Sequence, residues 1–206
     1  MMALQILCCV VVGWLLGGLN GAIVISRLSL HEDVRTKGSG NAGLTNFYRA
    51  YGGWKTLLVV FIDIGKMVAA CLLARLLLPE KPQLAMMIAG VAVQIGHVFP
   101  VFFGFHGGKG ILCSGALAVV MDWRIAAIAF PAFLVVFFAT RLVSLASIVA
   151  ILFYAGLFML FFWEQPCIWI LAIAMALLAI FMHRGNIKRL LRGEEHRMQF
   201  RKNKNV

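Results

Sequence analysis

Charge is scarce in this sequence. Charged side chains make up 13% of its 206 residues, where soluble domains carry about 25%. Acidic side chains are scarcer still, with 8 Asp and Glu against 19 Lys and Arg. No carboxylate cluster is available to hold Mg²⁺ or the paired metals of a phosphatase, so no metal or other cofactor is expected. The five cysteines, Cys8, Cys9, Cys71, Cys113 and Cys167, all lie in apolar runs. None has ligand spacing, so neither a zinc site nor a disulfide framework is suggested. There is no Gly-x-Ser-x-Gly elbow, which argues against acyl-serine chemistry. Residues 1–5 carry no basic side chain and no clear small-x-small cleavage site follows. The first apolar run is therefore expected to span a membrane rather than to be a cleaved signal.

Apolar residues fill the space that charge leaves. They are 62% of the chain, against about 45–50% in soluble domains, and the mean hydropathy is +0.93. They are grouped in runs of bilayer-crossing length, at 4–26, 56–78, 84–103, 125–140, 143–162 and 167–182. A shorter run covers 111–121, roughly 16 Å of helix. The pattern predicts an all-α, polytopic transmembrane bundle of about seven helices. Gly13, Gly17 and Gly21, at four-residue spacing, would let the first helix approach another closely.

The net charge of +11 is distributed as membrane proteins distribute it. Basic residues crowd 27–55 and 184–204, with Lys109 and Arg141 on the same expected side, while Lys81 and Arg124 stand opposite. This pattern suits anionic lipid headgroups and argues against nucleic acid. The positive-inside rule places the rich side in the cytoplasm, with the N-terminus outside and the C-terminus inside. That parity needs an odd number of crossings. One transmembrane domain is expected over 1–193. A basic cytoplasmic tail, loosely held at the headgroup surface, is expected over 194–206.

Three polar stretches share that side. In the first, Gly38, Gly40 and Gly43 can expose successive backbone N–H groups as an anion-binding concavity. Ser39, Asn41, Thr45 and Asn46 add neutral donors, and Arg49 adds a fork suited to phosphate. Thr45 is a candidate cap for a short helix carrying Arg49. The spacing matches neither the Walker loop nor the dinucleotide fingerprint. In the second, Gly107, Gly108 and Gly110 surround Lys109, whose ammonium can meet a phosphate, and His106 is close by. His97 sits near a helix end. In the third, His183 and Asn186 lie three apart on an expected helix extension and would face one way. Such a histidine can orient or deprotonate a hydroxyl. Asp63 and Lys66, i and i+3 inside the second apolar run, can pair as a clasp or wall a polar pocket.

These motifs together resemble the bacterial acyl-phosphate:glycerol-3-phosphate acyltransferase family, integral-membrane enzymes of phospholipid synthesis. The likeness rests on Gly38-Ser-Gly-Asn-Ala-Gly-Leu-Thr-Asn46 with Arg49, Phe61-Ile-Asp-Ile-Gly-Lys66, Gly96-His-Val-Phe-Pro100, Gly107-Gly-Lys-Gly110 and His183-Arg-Gly-Asn-Ile-Lys-Arg-Leu190. Two positions depart from the family's common pattern. Leu44 stands where alanine is frequent, and His106 where lysine is frequent.

The resemblance implies transfer of a fatty acyl group from acyl phosphate to the 1-hydroxyl of sn-glycerol 3-phosphate. The products would be lysophosphatidic acid and inorganic phosphate. It implies a multi-pass protein of the bacterial inner membrane, working among phospholipids without a metal; a monomer is expected, but nothing in the sequence fixes the oligomeric state. Ser39, Arg49 and Lys109 carry over as phosphate-site residues, with His183 and Asn186 as glycerol-3-phosphate contacts. Two other classes fit the residues alone. An anion or organophosphate transporter would move solute without forming product, although no internal two-fold repeat is evident. A non-catalytic lipid-binding scaffold would tolerate changes at Ser39, Asn46 and Lys109.

Overall fold

The computed structural model describes residues 1–198. Residues 199–206, most of the expected tail, lie outside the described part. Every regular element among the described residues is helical: α1 (Met2–Gly18), α2 (Gly21–Leu30), α3 (Leu44–Ala50), α4 (Lys55–Leu77), α5 (Pro82–Val98), α6 (Ile111–Met121), α7 (Trp123–Thr140), α8 (Val143–Phe161), α9 (Pro166–Met182) and α10 (Arg184–Leu191), with two single 3₁₀ turns.

Four segments are long and apolar enough to cross a membrane: α4, α5 with its following turn, α7 and α8. The count reaches six when α1 and α9, each continued by a short helix across a bend, are added. α6 is apolar but shorter. The chain is thus a multi-pass membrane bundle without a sheet among its described residues. Its outer surface carries large apolar side chains such as Leu57, Phe61, Val135 and Leu160. In water such a surface would drive aggregation, whereas in lipid it is solvated.

The first apolar run does not form the single straight helix expected of it. It breaks after Gly18, and α2 leaves at 41°. Asn20 makes the break: its side-chain oxygen accepts from Ile23 N at 3.2 Å and caps α2. The glycine stripe is divided accordingly. A Cβ on Gly13 would come within 2.7 Å of the Ala89 carbonyl oxygen, and one on Gly17 within 2.8 Å of Val93 Cα. These two positions let α1 lie directly on α5. Gly21, beyond the break, faces the Val59 carbonyl of α4 instead.

Helix direction gathers four connections at one end of the bundle. Ala42 N donates to Gly107 O, Arg49 Nη2 to His196 O, and Met198 N to Arg141 O. The segments before α3, before α6, between α7 and α8, and after α9 therefore meet. Gln165 Nε2 donates to Gln83 Oε1 at 2.9 Å, joining the N-termini of α9 and α5.

Candidate active site

The first loop is held by its own polar residues. Asn46 is buried, and its amide is wholly engaged with backbone. Its oxygen accepts from Ser39 N at 3.0 Å, and its nitrogen donates to Val34 O and Lys37 O at 3.1 and 3.0 Å. The backbone between passes through left-handed geometry at Gly38 (φ 54°) and Gly40 (φ 73°), which side chains disfavour. Arg35 ties this loop to the second. It donates to Phe103 O at 2.6 Å and His106 O at 3.0 Å while its fork grips Asp33. That grip holds the Asp33 carboxyl well below the usual carboxylate range.

The second loop folds back over the end of α5. Gly107 N donates to Val98 O and Gly108 N to His97 O. Gly108 is enclosed, since a Cβ there would lie 2.7 Å from Ala42 O and press on the His97 ring. Asn20 closes the layer from below by donating to Ala42 O at 3.0 Å.

α3 starts at Gly43, which serves as its N-cap without a side-chain bond. Thr45, expected as the cap, lies inside the first turn of the helix instead. Gly43 is extended there (φ −131°, ψ 163°), so the cap position comes two residues early. α3 still carries Arg49 on its last turn as expected, toward the last segment of the chain.

Beneath these loops, Asp63 and Lys66 form the clasp that their spacing suggested. Lys66 Nζ is 2.7 Å from Asp63 Oδ1. It also donates to Gly17 O and Leu19 O at 3.2 and 3.1 Å and lies 2.9 Å from His97 Nδ1. Asp63 accepts from Gly21 N at 3.1 Å. The pair thereby satisfies the backbone freed where α1 breaks into α2. Cys113 joins Asp63 and His97 in offering ligand atoms within 4.8 Å of one another. The Lys66 ammonium already supplies the positive charge at that point.

The third segment completes the site. Asn186 Oδ1 accepts from the Lys109 ammonium, a bond between residues 77 positions apart. Burial pushes the Lys109 ammonium down to about 8, opposed by the Glu195 carboxylate and aided by Arg189 and Arg49. His183, just past the end of α9, is buried, with Nδ1 2.8 Å from Ala179 O. A carbonyl oxygen can only accept, so the proton sits on Nδ1 and Nε2 carries a free lone pair. Burial, then the Lys109 charge, pushes this imidazole down to about 4, so it is neutral at physiological pH.

Ser39, Arg49, Lys109, His183 and Asn186 all line one cavity of about 2200 Å³, as do Gly38, Gly40, Asn41, Thr45, Asn46, Gly107 and Gly110. Gly108 lies under this wall. The cavity continues between α6, α7 and α8 along Val119, Ala129, Phe130, Phe133, Ile151 and Tyr154. One end is cationic and rich in donors; the other is apolar. His106 is exposed at the rim, with Nδ1 2.5 Å from Gly104 O, and Leu44 lines the wall.

Sequence reasoning missed one residue altogether. Glu195, assigned to a loosely held tail, is drawn into the site. It accepts from Asn186 Nδ2 and from Arg189 Nε, both at 2.7 Å. Residues 194–198 are therefore part of the bundle. Gly193, left-handed at φ 71°, was the available signal that the chain turns back after α10.

A cationic, glycine-lined cradle opening onto an apolar groove between α6, α7 and α8, where Val119 and Phe130 stay exposed, fits a membrane protein that handles a phosphate joined to an apolar chain. Known proteins agree. The family model for glycerol-3-phosphate acyltransferase matches residues 7–193. A glycerol-3-phosphate acyltransferase of Anaeromyxobacter dehalogenans (strain 2CP-C) is 41% identical over 193 residues, covering 92% of this chain and 95% of the relative. One from Thermoanaerobacter sp. (strain X514) is 37% identical over 188 residues, covering 91% and 93%. The crystal structure of PlsY, an integral membrane glycerol 3-phosphate acyltransferase, in its glycerol 3-phosphate form superposes with a TM-score of 0.86 at 36% identity. It covers 94% of this chain and 96% of that one. This chain belongs to the glycerol-3-phosphate acyltransferase family.

Proposed function

We propose that this protein transfers a fatty acyl group from acyl phosphate to the 1-hydroxyl of sn-glycerol 3-phosphate, releasing lysophosphatidic acid and inorganic phosphate. One observation carries the reading above the rest. Three loops far apart in sequence converge on a single cavity, polar at one end and apolar at the other. The acyl chain lies in the apolar part, between α6, α7 and α8. Its phosphate rests against Ser39, Arg49 and Lys109, with the backbone around Gly38, Gly40, Asn41 and Gly107 supplying N–H groups. Asn46 serves this cradle by shaping its loop, and Thr45, Gly108 and Gly110 complete its wall. Glycerol 3-phosphate enters beside His183 and Asn186.

The chemistry asks little of the protein. A mixed anhydride is already activated, so alignment and stabilisation of the leaving phosphate dominate. The glycerol oxygen bonds to the acyl carbon, and the carbon–oxygen bond to phosphate breaks. Arg49 and Lys109 meet the charge that develops on the leaving oxygen. The hydroxyl proton passes to a phosphate oxygen, a stronger base than a histidine held near 4. His183 Nε2 accepts a hydrogen bond from the hydroxyl and aims it. A His183→Gln enzyme is accordingly expected to raise the glycerol 3-phosphate KM while keeping most of kcat. A collapse of kcat at saturating substrate would return the base role to His183.

Orientation belongs to the same proposal. Seven crossings, with α6 as the short one, place the N-terminus outside and the site at the cytoplasmic face of the inner membrane. The convergence of four connections at one end supports that parity, as does the excess of basic residues there. α6 is about 16 Å long and α7 about 27 Å. They share the end at Asp122, so the loop carrying Lys109 dips below the headgroup level toward the depth of an acyl carbonyl. The protein works as one catalytic unit over 1–193, joined by 194–198, and functions as a monomer.

The test is direct. Purified protein in detergent is mixed with palmitoyl phosphate and glycerol 3-phosphate. Equal release of phosphate and lysophosphatidate supports the reading. Neither product, or solute flux in vesicles without product, contradicts it.

A further inference from the structure

The carboxylate of Glu195 stands among cations where a negative charge would be expected to hinder a phosphate enzyme. Its side chain is 5% exposed, and both of its oxygens are engaged. One accepts from Asn186 Nδ2 and the other from Arg189 Nε, each at 2.7 Å. Neither bonds Lys109 or Arg49. Asn186 and Arg189 are three apart on one face of α10. Glu195 reaches them because the chain reverses at Gly193, with Glu194 N donating to Arg189 O at 2.8 Å. The returning segment is fastened twice more, by Arg49 Nη2 on His196 O and by Met198 N on Arg141 O.

An ionised carboxylate only accepts hydrogen bonds. Facing one, an asparagine amide has to present its NH₂ group. Its carbonyl oxygen is then turned the other way, toward the Lys109 ammonium, and that bond is present. A flipped amide would set two NH₂ hydrogens against an ammonium and leave the carboxylate facing an oxygen. Both contacts would be repulsive. Arg189 holds the second oxygen, so the carboxylate itself cannot swing.

We infer that Glu195 is a positioning residue for the acyltransferase reaction, fixing which way the Asn186 amide faces and so shaping the glycerol 3-phosphate subsite. Asn186 then presents its oxygen to Lys109 and to a substrate hydroxyl in one orientation. The alternative, a carboxylate that occupies the phosphate position and must be displaced, predicts tighter substrate binding when its charge is removed. The positioning role predicts the reverse. The inference rests on the reading that Asn186 contacts glycerol 3-phosphate.

The experiment compares wild-type, Glu195→Gln and Glu195→Asp enzymes, full length and in detergent. KM is measured separately for glycerol 3-phosphate and palmitoyl phosphate, with melting temperature as the check on folding. Glu195→Gln is expected to raise the glycerol 3-phosphate KM about tenfold or more, in the range that outer-shell partners command. The palmitoyl phosphate KM should rise clearly less, because the Glu195 charge acts on Lys109 and Arg49 only at a distance, a selectivity that a general loosening of the fold would not give. Glu195→Asp keeps the charge one methylene back and should fall between. An unchanged or lowered glycerol 3-phosphate KM overturns the inference, as do equal rises in both constants. If Glu195→Gln fails to fold, Glu195→Asp decides alone by the same criteria. A wild-type enzyme without acyltransferase activity would instead sink the proposed function.

Discussion

In the proposed mechanism Lys109 meets the leaving phosphate, and its environment should leave a signature in pH. Burial and two neighbouring arginines, opposed by the Glu195 carboxylate, hold its ammonium at about 8. A lysine lowered in this way is charged below that value and neutral above it. The kcat/KM for acyl phosphate is therefore expected to fall as pH rises through about 8. Lys109→Arg, which keeps its charge to far higher pH, should lower activity yet remove that fall. Rate profiles between pH 6 and pH 10 check both statements. That Lys109, Arg49, Ser39, His183 and Asn186 would share one cavity was legible from five polar motifs recurring together in one otherwise apolar chain. Glu195 was not legible. A lone acid in a basic stretch looks like solvated surface until the turn at Gly193 brings it back over α10.

At the scale of elements, the clasp between α4 and the α1–α2 break explains why a charged pair is buried in a membrane bundle. Lys66 collects the carbonyl oxygens of Gly17 and Leu19, and Asp63 takes the amide of Gly21. Unmet, those groups would be costly in a low-dielectric interior. Asp63→Asn leaves the ammonium without its counter-charge, and breaking such a buried pair costs about 3–5 kcal/mol. A clear drop in melting temperature in detergent is expected. The double change Asp63→Asn with Lys66→Gln should drop it less than either single change. The apolar runs announced the spans, since hydrophobic length is written directly in sequence. The break at Leu19–Asn20 was hidden, because an asparagine flanked by apolar residues hardly dents a hydropathy average. Its signal lay in capping chemistry rather than hydropathy, with Asn20 placed before Gly-Ala-Ile.

For the whole molecule, the proposed catalysis requires that the polar loops lie on one side of the bilayer. Cysteines introduced singly at Ser39 and Arg192, in a background with the native cysteines replaced, should react with a membrane-impermeant thiol reagent from the cytoplasmic side. One at Lys81 should react only from outside. The distribution of basic residues made the gathering of these loops at one end of the bundle legible, because lysine and arginine are sorted by side during insertion. What could not be read was how the loops interlock. Arg35 bonding the Phe103 and His106 carbonyls, and Arg49 bonding that of His196, are contacts of tertiary structure with no local pattern.

The central claim is that these loops assemble a cationic cradle which stabilises a leaving phosphate. Its most direct test is the turnover of Lys109→Ala with palmitoyl phosphate and saturating glycerol 3-phosphate, in protein whose melting temperature matches wild type. A fall in kcat of about a hundredfold to a thousandfold is expected, as for removal of one preorganised charge-stabilising group. Undiminished turnover would contradict the account.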